Sequence, residues 1–188
     1  AKFNAILNAY TVTWENWDGS VLEVDESVEY GTMPTYDGEP PTKQADAQYT
    51  YTFSGWNSNI DTVTGDITYT AQFSDVTNTY KVTWENWDSS ILEFDESVEY
   101  GTMPSYDGET PTRPANAQYS YTFSGWEPTI DTVTGNVTYV AQYSYVVNQY
   151  TVTWQNWDGT VLEVDENIEY GATPTYNASV PTKEGNAQ

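Results

Sequence analysis

The chain has 188 residues, with 28 Asp and Glu against 5 Lys and Arg, a formal net charge of −23 and 38% hydrophobic residues. Without a basic stripe to neutralise phosphates it is not expected to bind nucleic acid, and an anionic membrane surface would repel it. The lack of any Cys or His in the sequence excludes disulfide frameworks, thiol nucleophiles, histidine general bases and the usual zinc and copper sites.

One stretch organises the rest. Residues 10–30, YTVTWENWDGSVLEVDESVEY, return as 80–100 and again as 150–170, an offset of 70 both times. A period of this size marks an array of repeated units. The units run 11–80, 81–150 and 151–188, the last incomplete, and the first two agree at about 50 of 70 aligned positions. Ala1, Lys2 and Phe3 align with Ala71, Gln72 and Phe73, so residues 1–10 are expected to form the last strand of a preceding repeat. The chain is expected to be a window on a longer array. Acids are spread evenly, 12 in residues 11–80 and 10 in 81–150, which favours solubility and self-repulsion between neighbours.

Thr, Val, Tyr, Trp and Phe dominate, the composition of strands, and no apolar run approaches membrane-spanning length. The first strand is predicted over residues 10–16, with Tyr10, Val12 and Trp14 on the buried face and Thr11, Thr13 and Glu15 on the other. The second begins near Ser20. Placing Leu22 and Val24 on the buried face beside Trp14 and Val12 sets Trp14 opposite Leu22 and Asn16 opposite Ser20. That leaves a three-residue loop, Trp17, Asp18 and Gly19, in which Gly19 takes the left-handed position of a type I turn with a G1 bulge. Gly159 matches, whereas Ser89 would cost about 1 kcal/mol there. A two-residue loop would pair Trp14 with Glu23 and mix the faces, so it is rejected. Val28 and Tyr30 keep the inward parity.

Residues 32–48 form a connector in which Pro34, Pro40 and Pro41 forbid a long helix. The third strand is predicted over 49–53, with Trp56 closing the end of the core, and the fourth over 67–73, with Ile67, Tyr69, Ala71 and Phe73 inward. Residues 74–79 link to the next repeat without Gly or Pro, the mark of a semi-rigid joint. A 70-residue unit is small for a core, and the aromatic load of Tyr10, Trp14, Tyr30, Tyr51, Phe53, Trp56, Tyr69 and Phe73 compensates.

As an ordered set, Val28…Tyr30-Gly31, Phe53-Ser54-Gly55-Trp56 and Tyr69…Ala71…Phe73 resemble the Listeria–Bacteroides repeat, the B-repeat of internalin-type proteins, over nearly the whole chain. The resemblance implies compact β-grasp-like modules in tandem on secreted or wall-attached bacterial surface proteins, acting as spacers and sometimes as adhesive modules, with no catalytic residue. The stretch 41–49 is longer than the usual family spacing, and here the Pro-rich connector replaces or shortens the β-grasp helix. The fold expected is therefore mainly β: four main strands per module, little or no helix, in an extended array.

Trp17, Trp87 and Trp157 sit at the hairpin tips, outside the buried parity. They are candidate stacking platforms for sugar rings or a partner protein; the competing reading folds each over its own hairpin or onto the adjacent repeat. The acids Asp18, Glu23, Asp25, Glu26 and Glu29 lie on a strand without a D-x-D-x-D-G loop, so a solvated face is favoured over calcium binding. Lys43 aligns with Arg113 and Lys183, an exchange typical of a surface position, and no isopeptide cross-link is expected. Asn136-Val137-Thr138 and Asn177-Ala178-Ser179 fit the glycosylation triplet. A near-identical glycosidase carboxylate pair in every short module is improbable. The expectation is a non-enzymatic, extracellular spacer or fibre segment without cofactor or metal, touching neighbouring repeats of its own chain. Two alternatives stay open: an adhesive module for a glycan or protein using one exposed Trp per repeat, and a self-assembling filament subunit in which one chain's strand completes another's sheet.

Overall fold

The structure, a computed structural model, describes residues 6–183, and no helix occurs among them. Residues 1–5, where the closing strand of an earlier repeat is expected, and residues 184–188 lie outside the described residues. Strands β1 (Ala9–Glu15), β2 (Val21–Glu29), β3 (Tyr49–Trp56) and β4 (Ile67–Thr77) form one sheet in the order β2-β1-β4-β3. Strands β5 (Thr79–Glu85), β6 (Ile91–Glu99), β7 (Tyr119–Glu127) and β8 (Val137–Val147) form a second in the same order. Strands β9 (Gln149–Gln155) and β10 (Val161–Glu169) pair as a hairpin. The chain is thus mainly β, with two tandem β domains of one build.

By density of contacts the chain divides into two compact units. One comprises Ala1–Lys81, Glu96–Met103 and Thr132–Asn136; the other comprises Val82–Asp95, Pro104–Asp131 and Val137–Gln188.

The central pair β1 and β4 is parallel, with Trp14 beside Tyr69, and their rings stack at 4.7 Å. Parallel neighbours need a long crossover, usually a helix. Here the connector after β2 serves without one, because its prolines lack the N–H that a helix requires. The same lack makes them easy to bury in irregular chain, since no donor is left unpaired. Pro34 and Pro41 are both buried. From outside the strands, Tyr36 and Val63 pack on Trp14 and roof it where a helix would otherwise lie. Two backbone hydrogen bonds, Gly31 N–H to Val63 O at 2.8 Å and Val63 N–H to Thr32 O at 2.9 Å, hold that roof, and Gly101, Val133 and Thr102 repeat them.

The hairpin tip follows the expected turn chemistry. Asn16 N–H donates to Ser20 O, Gly19 N–H donates to Asn16 O, and Gly19 has φ 81°. Ser89 is forced to φ 64° at the same place.

Beyond the tip the expected register fails. Trp14 pairs with Glu23 and Glu15 with Val21, which leaves Leu22 as an extra, bulged residue. The rejected pairing is the real one, reached through a bulge after a correct three-residue loop. Leu22 and Val24 accordingly turn outward, 36% and 47% exposed, while Glu23 and Asp25 take the face of Trp14. A second irregularity between Tyr10 and Val12, with Ser27 at φ 63°, restores Val28 to the core. Tyr30, expected inside, is exposed.

The bulge survives because the inward acids have partners. Trp14 Nε1 donates to Asp25 Oδ2 at 2.9 Å, and Glu23 Oε2 accepts the N–H groups of Asp37 at 3.0 Å and Gly38 at 2.9 Å. The favoured reading of these acids as a solvated face is therefore corrected for Glu23 and Asp25: a buried indole N–H and a helix-free connector both need acceptors.

The link predicted over 74–79 is strand almost throughout. β3 pairs with β4 as far as Tyr49 opposite Thr77, and Asn78 alone separates β4 from β5.

Candidate functional site

Each hairpin tip carries its exposed tryptophan. Trp17 is 51%, Trp87 44% and Trp157 69% exposed. Their placement is local: Asn16 Oδ1 accepts the Trp17 N–H at 3.0 Å, and Asn86 and Asn156 do the same for Trp87 and Trp157. The other end of the same carboxamide reaches the connector, Asn16 Nδ2 to Thr42 O and Asn86 Nδ2 to Thr112 O, both at 3.1 Å. This bond places the next residue, Lys43 or Arg113, against the ring.

The cation is the feature that sequence reading missed. Lys43 Nζ lies 4.9 Å from the Trp17 ring centroid and 3.7 Å from that of Tyr51. Arg113 Cζ lies 4.6 Å from Trp87 and 3.9 Å from Tyr121, and Lys183 Nζ lies 4.5 Å from Trp157. An indole face attracts a cation through its quadrupole. The exchange of Lys for Arg is thus no neutral surface swap: both residues carry the charge the two rings hold. The available signal was recurrence of a base at the 70-residue offset in a chain with 5 bases.

Electrostatics differ between repeats. In the first, Asp46 lies near Lys43; hydrogen bonds from the Tyr49 N–H and the Tyr51 hydroxyl hold its carboxyl below the usual range. The Tyr51 hydroxyl donates to Asp46 Oδ2 at 2.9 Å, and that bond raises the phenol's pKa. In the second repeat Asn116 replaces this acid, its Nδ2 donating to Tyr121 Oη at 3.3 Å. Tyr143 replaces Phe73 there, its hydroxyl donating to Asn86 Oδ1 at 2.6 Å. Burial, above all, raises the Tyr143 pKa, against the pull of the Arg113 charge.

The remaining acids do structural work or face solvent. Ser20 Oγ donates to Asp18 Oδ1 at 2.6 Å, closing the tip, and Ser90 and Thr160 do so for Asp88 and Asp158. Glu26 and Glu29 are exposed. Among the described residues no group of three or more His, Cys, Asp or Glu is arranged to hold a metal ion, and no helix is long and apolar enough to cross a membrane. Asn136 Oδ1 accepts the Lys81 N–H at 2.8 Å, the part Asp66 plays for Thr11. The exchange of Asp for Asn there keeps the contact, because only the side-chain oxygen is used.

No protein-family model matches the chain, and no curated protein matches it. Among solved structures, it is similar to the Streptococcal High Identity Repeats in Tandem (SHIRT) domains 3-4 from a cell surface protein, at 15% sequence identity and a TM-score of 0.36, over 74% of this chain and 99% of that one.

Proposed function

We propose that the chain is a non-enzymatic spacer, a segment of a repeat array on the outside of a bacterial cell whose task is to set distance. We infer its modules to be residues 11–80, 81–150 and 151–188. The resemblance to the Listeria–Bacteroides repeat supports the surface location. The observation that carries the reading is the joint at Asn78.

A tandem array gains reach only if its joints resist folding back, and a joint of one residue leaves little freedom. Asn78 Nδ2 donates to Asp46 O at 2.8 Å and Ala47 O at 3.2 Å, while its Oδ1 accepts from Thr50 Oγ1 at 2.7 Å. Its own N–H donates to Gln48 O, and its carbonyl accepts the Tyr100 N–H. Tyr80, two residues on, donates its hydroxyl to Ala47 O. Asn148 repeats the set with Asn116, Ala117, Ser120, Gln118 and Tyr170. The Asn78 side chain therefore ties the end of a connector to the start of β3, and the Tyr80 hydroxyl brings the first residues of the next repeat to the same connector.

Small-angle scattering on arrays of increasing repeat number tests the proposal. The maximum dimension is expected to grow linearly, by roughly 30 Å per compact 70-residue repeat. Growth as the cube root of mass, the behaviour of a single globule, would overturn it.

A further inference from the structure

Three of the 5 bases in the sequence, Lys43, Arg113 and Lys183, stand at one position of the repeat, each against an exposed indole. Among the described residues none of the three has a carboxylate oxygen within 4.0 Å; the ion pair found there is Lys81 with Glu96. In so acidic a chain, a cation held against aromatic rings rather than against a carboxylate leaves its charge open to an anionic ligand.

The second repeat develops this position furthest. A cleft of about 350 Å³ opens beside Arg113, lined by Pro111, Thr112, Tyr121, Phe123 and Tyr143 among others. Its lining combines three aromatic side chains with three threonines. The acid near the cation in the first repeat is here the neutral Asn116. Asp88 acts on Tyr143 from the tip loop, and its carboxylate is engaged by Ser90. At physiological ionic strength the Debye length of about 8 Å screens repulsion from the more distant acids.

We propose that Trp87, Arg113 and Tyr121, with the cleft beside them, form a subsite for a sugar ring bearing a carboxylate, repeated in weaker form at Trp17 with Lys43 and at Trp157 with Lys183. The guanidinium lies against both rings and supplies the N–H donors for an anion; one of them already reaches the Tyr121 hydroxyl at 3.4 Å. The exposed part of the indole offers a flat apolar surface to the C–H face of a pyranose. Charge complementarity selects the acid and the planar ring selects the sugar. A single shallow site binds weakly; recurrence at every repeat lets an extended polysaccharide engage several at once, and avidity then exceeds the affinity of any one site.

The test uses the ¹⁵N-labelled 188-residue chain. Probes are a glucuronate tetrasaccharide and a sialylated trisaccharide, each with its carboxyl-reduced counterpart, and a glutamate peptide. The indole N–H resonances of Trp87, Trp17 and Trp157 and the Arg113 Nε–H are followed. At least one acidic sugar is expected to shift Trp87 and Arg113 most, and its reduced counterpart is expected not to. Arg113→Gln should weaken binding about tenfold or more, by loss of a charge-assisted contact. Arg113→Lys, the residue of the other two repeats, should fold normally and bind more weakly than the unaltered chain but more tightly than Arg113→Gln. Equal shifts from the reduced sugars would overturn the proposal, as would equal shifts from the glutamate peptide, which would mark a protein site. No shift at millimolar sugar would leave the cation as an internal staple and would also overturn it. None of these outcomes bears on the scattering test of the spacer.

Discussion

Ser89 shows how a repeated fold exposes an unfavourable residue. Gly19 and Gly159 have φ 81° and 86° at the hairpin tip, and Ser89 must adopt 64° in the same turn. A side chain in the left-handed region meets the neighbouring carbonyl, a cost that glycine escapes. Ser89→Gly is therefore expected to stabilise the chain by about 1 kcal/mol, read as a higher urea midpoint at unchanged slope. One position away, Asp18 is held below its ordinary value of 3.8 first by the Ser20 hydroxyl and then by the Ser20 backbone N–H. A depressed carboxyl pKa contributes stability above the ordinary value and loses it as pH falls through the folded one. Ser20→Ala removes the largest cause, so the Asp18 midpoint in a ¹³C carboxyl titration should rise towards 3.8. An unchanged midpoint would mean that the backbone N–H alone sets it.

At the scale of elements the lesson lies in β2 and at the joint. β2 reads as an alternating strand whose apolar residues face in, yet the acids face in instead. The bulge at Leu22 sets this parity, and Glu23 binding to the connector maintains it: Glu93 to Asp107 and Glu163 to Asn177 repeat the contact. The joint makes a second case. Asn78 is half-buried and its carboxamide serves three partners, so Asn78→Ala should cost about 1 kcal/mol or more. Hydrogen exchange should quicken first at the Asn78 and Tyr100 N–H groups, which the joint encloses. Quickening spread evenly over the sheet would instead mean that Asn78 supports the whole domain and not the joint.

Charge governs the behaviour of the whole molecule. A net −23 on 188 residues destabilises any compact state through self-repulsion. Repulsion between exposed carboxylates reaches about 30 Å at 0.01 M salt and about 3 Å at 1 M. The thermal midpoint by circular dichroism should accordingly rise with sodium chloride. A fall would show that favourable pairs such as Lys81 with Glu96, 3.2 Å apart, outweigh the repulsion. The same repulsion keeps neighbouring chains apart, which suits a spacer.

Reading the residues in order reached the features that depend on near neighbours. The three-residue tip with its left-handed Gly19 was legible because turn geometry is set within a few bonds. The burial of Val12, Trp14 and Tyr69 was legible because alternation puts large apolar groups on one face. The positions of Leu22 and Val24 were not, since their parity depends on Glu23 finding the N–H groups of Asp37 and Gly38, which nothing in the strand announces. Pro34 and Pro41 read as connector residues and proved to be buried, and Val63, outside every strand, proved to be part of the core. The exposed tryptophans were visible as an outward parity; the cation beside each was not, because Lys43 meets Trp17 only when the connector folds back over the hairpin tip. Local chemistry was written along the chain, whereas contacts between segments far apart in it came into being only with the closed fold, where every buried polar group has to find a partner.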